Sequence, residues 1–331
     1  IVGLRKGLNF SHTEVREHYA NIITELFTRF DVNGVDLDFM RHPAYFRPDE
    51  AYGARHLITD LIAYLHENMK QVEKSKGRRL ELSVRVPPSL ADSTRIGLDV
   101  SEWMANGLVD IVVAGSGFIP FEMPFEEFVD AAEPNGIAVY GSLEVLLPAK
   151  RKDVIRGIAN RYWKAGASGI ILSNFTNQYL DQSLEWQKSI LNEIADPDKL
   201  RHLNKRYQLD RSDRSTPSEP GHGATFRYAI PPVQLPSTLV PSLSKRNTKL
   251  VLKVDDKPQY QIANGYLNKN TLRLGLEYHD KNDEIEVKIN SKHLPSKSAT
   301  AVHGPWKTIE APFYAERPSE HVKGSIIEFD V

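Results

Sequence analysis

The stretch Asn33-Gly-Val-Asp-Leu-Asp-Phe-Met-Arg-His-Pro43 constrains this chain more than any other. Val35, Leu37 and Phe39 alternate with Asp36 and Asp38. A period of two is that of a β-strand, so both carboxylates share one face. Asp is poorly suited to a strand interior. Two of them side by side repel, and burying them is costly unless cations or donors compensate. Arg41 and His42 follow directly, where the strand gives way to a loop. A strand that ends Asp-x-Asp-x-x-Arg-His therefore reads as a catalytic or ligand site. Its plain structural alternative is a salt-bridged strand end.

The surroundings of this strand define a fold class. Residues 13–29 carry apolar side chains at helical spacing, with Ser11 and Thr13 as candidate caps. A second helical stripe runs over 51–74 and closes at Lys76-Gly77. Strands are expected at 80–86, stopped by Pro87 and Pro88, then at 109–114, 137–144 and 169–174. Helices are expected near 100–106, 125–132, 152–164 and 183–194. Five strands alternate with helices at intervals of roughly 30–45 residues, which predicts a parallel α/β sheet.

Either a doubly wound sheet or a (β/α)8 barrel fits this alternation. The strand ends favour the TIM barrel. Ser83 and Arg85, Ser116, Ser142 and Glu144, and Asn174 place polar groups where such barrels build their active sites. No glycine-rich phosphate loop follows any strand. A barrel needs eight strands and five are visible, so these five are expected to be the fourth to eighth, with the first three upstream of residue 1. The expected catalytic domain is 1–195. Residues 196–248, rich in Pro, Ser, Arg and Lys, read as a linker or wrapping segment. Residues 249–331, with alternating runs at 249–254, 271–276, 284–289 and 325–329, read as an antiparallel β-sandwich.

Composition narrows the partners. A net charge of −1 over 331 residues gives no global field for nucleic acid or a membrane surface. No apolar run approaches the ~20 residues that span a bilayer. The chain has no Cys, which excludes disulfides, thiol nucleophiles and Cys-ligated metal. No cofactor is expected, and the oligomeric state is left open.

Gly34-Val-Asp-Leu-Asp-Phe39 resembles the fourth-strand signature of chitinase-type glycoside hydrolases, Asp-Gly-x-Asp-x-Asp-x-Glu. Asn33 stands for its first Asp and Met40 for its proton-donating Glu. A second likeness covers more of the chain. Leu8-Asn-Phe-Ser-His-Thr-Glu-Val-Arg16, then Arg29-Phe-Asp31, then Gly34-Val-Asp-Leu-Asp38 are similar to a hypothetical glycosyl-hydrolase family related to the xylanase clan. That resemblance implies a glycosidase-like barrel acting on a polysaccharide or oligosaccharide, in a secreted or periplasmic location. It places the acid/base at the end of strand four, here Asp38, and the nucleophile at the end of strand seven, here Glu144. Two such carboxyls act with retention at ~5–5.5 Å separation and with inversion at ~6.5–9.5 Å, and the clan implies retention.

Asp36, one step below Asp38 on the same face, is a third catalytic candidate through like-charge repulsion. Arg41, His42, Arg85, Tyr140 and Asn174 are candidate substrate-binding residues; Arg85 is equally a counter-ion to the aspartates. Tyr45, Phe46, Phe118, Phe121 and Phe175 lie near strand ends as stacking platforms or lids. Two other readings remain open: a non-catalytic carbohydrate-binding barrel, which Met40 suggests, and a metal-dependent hydrolase or lyase built on Asp36, Asp38 and His42.

Overall fold

The computed structural model describes residues 7–40, 43–115, 120–144, 151–173, 175, 183–210, 233–235, 237, 248–256, 258–265, 270–277, 286–294 and 324–330. Two compact units divide the chain, residues 1–255 and 256–331.

The first unit opens with α1 (Thr13–Arg29), whose Ala20, Ile23 and Phe27 are buried. Neither expected cap serves it: His12 occupies the N-cap without a side-chain bond. The turn before α1 is held instead by Arg16, which donates to the carbonyls of Phe10 (2.6 Å) and Ser11 (3.0 Å). Strand β1 (Gly34–Asp38) follows, then α2 (Ala51–Lys76). Gly77 ends α2 at φ 66°, a left-handed conformation that glycine adopts without a Cβ clash. Next come β2 (Glu81–Val86), two short helices α3 (Leu90–Arg95) and α4 (Val100–Ala105), and β3 (Ile111–Ala114). The remaining elements are α5 (Glu126–Ala132), β4 (Ala138–Glu144), α6 (Lys152–Lys164), β5 (Gly169–Ser173), α7 (Leu184–Ile194) and α8 (Pro197–Leu200).

All five strands are parallel and stand in sequential order, β1-β2-β3-β4-β5. A doubly wound sheet reverses its order at a switch point; this one does not. A sequential order with right-handed crossovers puts the connecting helices on one face and curls the sheet as half of a barrel. Burial agrees. Leu82, Val84, Val86, Val112, Ala114, Val139 and Leu143 alternate along the strands and are buried against Ile58, Leu65, Trp103, Phe128 and Tyr162 of the helices. Each of these large side chains contributes roughly 1.5–3 kcal/mol by leaving water. Buried polar ends are satisfied: Trp103 Nε1 donates to Thr59 Oγ1 (2.9 Å), and Tyr162 Oη to the Ser142 carbonyl (3.1 Å).

Beyond α8, the pieces 203–210, 233–235 and 248–255 form a strap over α5 and α6. Arg206 N donates to the Asp153 carbonyl (2.8 Å), and Asn160 Nδ2 to Tyr207 Oη (2.7 Å). The strap passes so close to α6 that a Cβ at Gly157 would overlap the Arg206 carbonyl. Asp210 and Glu122 then clasp each other's backbone. Asp210 Oδ2 accepts from Phe121 N (2.8 Å) and Glu122 N (2.7 Å), and Glu122 Oε2 accepts from Asp210 N (2.7 Å). Among the described residues the strand expected at 249–254 joins no sheet. The Gln234 side chain takes both polar groups of Val251 instead, at 2.7 and 2.9 Å.

The second unit contains α9 (Pro258–Ala263) and two antiparallel pairs. β6 (Thr271–Glu277) pairs with β9 (Gly324–Asp330). β7 (Lys288–Ile289) pairs with β8 (Lys292–His293). Asn290 and Ser291 both have positive φ between β7 and β8, the requirement of a two-residue type I′ hairpin.

Candidate functional site

The alternation read from the sequence sorts the residues of the sheet by face. Asp36 is in register with Ser83, and Asp38 with Arg85. Arg85 is in register with Val113, Val113 with Tyr140, and Tyr140 with Gly169. These positions occupy the face turned away from the helices. Asp36 and Asp38 are exposed there, while Ser83, Arg85 and Tyr140 are half-buried. The polar residues thus line the open side of the curled sheet toward its C-terminal edge, where parallel α/β proteins place ligands.

Among the described residues Asp38 has two partners. Its Oδ1 accepts from Met40 N (2.8 Å), a turn that ends the strand, and its Oδ2 lies 3.4 Å from Arg85 Nη1. The Arg85 side chain is 18% exposed and that of Asp38 41%, so the arginine is the better shielded partner. Arg85 also reaches the Gly115 carbonyl at 3.5 Å, which ties β2 to the end of β3. The ion-pair reading of Arg85 therefore has a geometric basis, and its guanidinium reaches solvent only in part.

Tyr140 fits on this face because its neighbour is glycine. A Cβ at Gly169 would stand 2.9–3.0 Å from the Tyr140 ring, so the ring lies directly over β5. On the opposite face Gly141 does the same for Tyr162. Ser142 is fully buried, and its Oγ has no hydrogen-bond partner among the described residues. Glu144 is the last residue of β4, in register with Ser173. Arg41, His42, Asn174, Ser116 and Phe118 lie outside the described residues.

Most of the aromatic candidates are packing groups. Phe39 and Phe10 make edge contacts with the Tyr45 ring at 5.4 and 5.7 Å, and Tyr45 Oη donates to the Phe39 carbonyl. Burial pushes the Tyr45 phenol well above its usual range, and the nearby Asp38 charge adds to this. This cluster was not anticipated, yet it braces the loop that follows Asp38. Phe46 is buried beneath Gly97, and Phe121 is buried near Tyr207. Among the described aromatic candidates Tyr140 sits on the open face.

Among the described residues no group of three or more His, Asp or Glu is placed to hold a metal ion. No helix among them is long and apolar enough to cross a membrane. No family model matches this chain, and no curated protein matches it.

Proposed function

We propose that this chain carries the active site of a glycoside hydrolase built on a (β/α)8 barrel, with the second unit as an accompanying β-sandwich domain. The observation that carries the reading is the position of Asp38. It stands at the C-terminal end of a parallel strand, on the open face of the sheet, held from two sides and still half exposed. Asp36, Arg85 and Tyr140 share that face, and Glu144 ends a strand three places along.

In this reading Asp38 and Glu144 are the carboxyl pair. One protonates the glycosidic oxygen as the bond to the anomeric carbon breaks, while the other attacks that carbon. Water then cleaves the glycosyl ester, with the first carboxylate as base. Arg85 orients Asp38 through the contact at 3.4 Å. Tyr140 offers an apolar ring face to a sugar, and Arg41, His42 and Asn174, which follow β1 and β5 in the sequence, are the proposed substrate contacts. A non-catalytic carbohydrate-binding protein is the second reading. It is favoured by the same pair, since Arg85 and Met40 N already engage both oxygens of Asp38.

The test is hydrolysis of a panel of aryl glycosides and polysaccharides by the wild type, Asp38→Asn and Glu144→Gln. Each variant should lose roughly 10²–10⁴-fold in kcat/KM with its fold intact by circular dichroism. Undiminished turnover in either variant removes that residue from the mechanism. Saturable binding with no turnover by the wild type would select the second reading.

A further inference from the structure

The strap over α5 and α6 is attached by polar contacts. Among its described residues Asp210 alone is buried. Leu250, Val251, Leu252 and Val254 stay 37% to 54% exposed. Of its described apolar side chains only Tyr207, itself half-buried, packs against the core of the sheet and helices. A segment that buries so little apolar surface can leave its bed without unfolding the layer beneath it.

A reciprocal clasp of two carboxyls holds it there. Asp210 accepts from the backbone N–H groups of Phe121 and Glu122, and Glu122 Oε2 accepts from that of Asp210. Glu122 Oε1 accepts from Gln234 N (3.1 Å) and Gln234 Nε2 (2.8 Å), and the Gln234 amide in turn holds Val251. All three pieces of the strap thus converge on the loop before α5. The cations of the packed elements are engaged elsewhere. Arg161 of α6 and Lys253 of the strap bond Glu126 of α5, Arg161 also lies 3.8 Å from Asp255, and Arg206 pairs with Asp153. Two titratable groups interact with Asp210: Glu122 from the loop and Tyr162 from α6, whose phenol burial keeps protonated. Inside the clasp, burial and the Glu122 charge hold the Asp210 proton up to about pH 8, against the two N–H donors. Released into water, the same carboxyl ionises near the usual ~3.9.

We propose that the Asp210–Glu122 clasp is a proton-operated latch, which frees the strap and the loop at 120–123 together while the five-stranded sheet stays folded. The closed form holds a protonated Asp210, and the open form gives that proton to solvent. The open population therefore rises by up to about tenfold per pH unit between about pH 4 and pH 8 and levels off above. The freed loop reaches the candidate site. A Cβ at Gly115, just past the end of β3, would meet the Met123 thioether, and the Gly115 carbonyl lies 3.5 Å from Arg85 Nε. The inference does not depend on the hydrolase reading, and its test uses no substrate.

Hydrogen exchange of the 331-residue chain, read by mass spectrometry and divided by the intrinsic rate at each pH, gives the opening constants. Peptides covering 120–123 and 206–210 should open at least roughly 100-fold more often than 111–114, and should do so independently of urea below the unfolding transition. Their opening constants should rise together by up to about tenfold per pH unit from about pH 5 to pH 8. In Asp210→Asn, which cannot ionise, the rise should vanish. Opening constants that do not change with pH overturn the proposal. So do strap constants equal to those of 111–114, since the strap would then leave only with global unfolding, and a rise that persists in Asp210→Asn. The wild-type series decides the matter by itself should that variant fail to fold.

Discussion

Asp210 is the group on which the strap can be tested most directly. Its carboxyl is 4% exposed, accepts two backbone N–H groups on one oxygen and adjoins Glu122. Burial pushes it from the ordinary 3.8 up to about 8; the two N–H donors pull the other way, and the Glu122 charge adds to the rise. An unfolded chain ionises the same group near the usual ~3.9. Between about pH 4 and pH 8 the folded protein therefore holds a proton that the unfolded chain has lost. Stability falls as pH rises through that window, by up to ~1.4 kcal/mol per pH unit, and is flat in this term on either side. At pH 7 the accumulated cost reaches about 4 kcal/mol as an upper bound. Asp210→Asn keeps an oxygen to accept from Phe121 and Glu122 but cannot ionise. Urea unfolding followed by tryptophan fluorescence should show little difference from wild type at pH 4. At pH 8 the variant should be more stable by about 2–4 kcal/mol. A stability difference that does not change with pH, or a variant less stable than wild type at pH 8, refutes the reasoning.

Arg161 is 2% exposed and bonded through both terminal nitrogens to Glu126 at 2.8 Å. Glu126→Ala leaves that charge with the longer Asp255 contact at 3.8 Å and should cost about 3 kcal/mol in urea unfolding, whereas the paired change Arg161→Met with Glu126→Leu should recover most of it. Burial acts to raise the Glu126 carboxyl, but the Arg161 bonds outweigh it and bring it to about 2. Stability from this pair is thus complete above about pH 4.5 and lost as pH falls toward 2; with Glu126 43% exposed it amounts to ~1 kcal/mol after screening. Gly141→Ala forces a methyl into the ring of Tyr162, which is fully buried, and should cost about 1–3 kcal/mol of stability or more. Gly169→Ala meets the half-buried Tyr140 ring at 2.9–3.0 Å, a milder overlap than that at Gly141, so it should cost less in unfolding.

The helices and strands of the first unit were legible because burial on one face imposes a period. Residues 13–29 and 152–164 were expected as helices and form α1 and α6 over the same ranges. The parallel strands fell within two residues of their expected limits, since Val, Ile and Leu runs stop at turn residues. The cap of α1 was not legible, because a Ser or Thr before a helix competes with other donors and acceptors for the same turn. Here Asn9 Oδ1 accepts from Ser11 N (2.9 Å), and Arg16 bonds the carbonyls. The run at 249–254 alternates as a strand does, but alternation records one buried face and not a partner strand. A side-chain amide from Gln234 can serve that backbone as well as a neighbouring strand.

The face shared by Asp36, Asp38, Arg85 and Tyr140 was also readable, since period two fixes it before any fold is known. What could not be read is which charges meet. Arg85 could have faced a ligand or an aspartate, and only the register of β1 with β2, set by the pairing of Gly34 with Glu81, brings it opposite Asp38 and not Asp36. That register has a local cause. A Cβ at residue 34 would overlap the Glu81 carbonyl, so glycine there allows the close approach of the two strands at their start. A slip of one residue would move both aspartates to the helix-packed face, where two carboxylates would lack water and Arg85 alike. The glycine in Asn33-Gly34-Val35 is thus part of the site although it carries no functional group, and the acidic pair is held in place by the absence of a side chain four residues before Asp38.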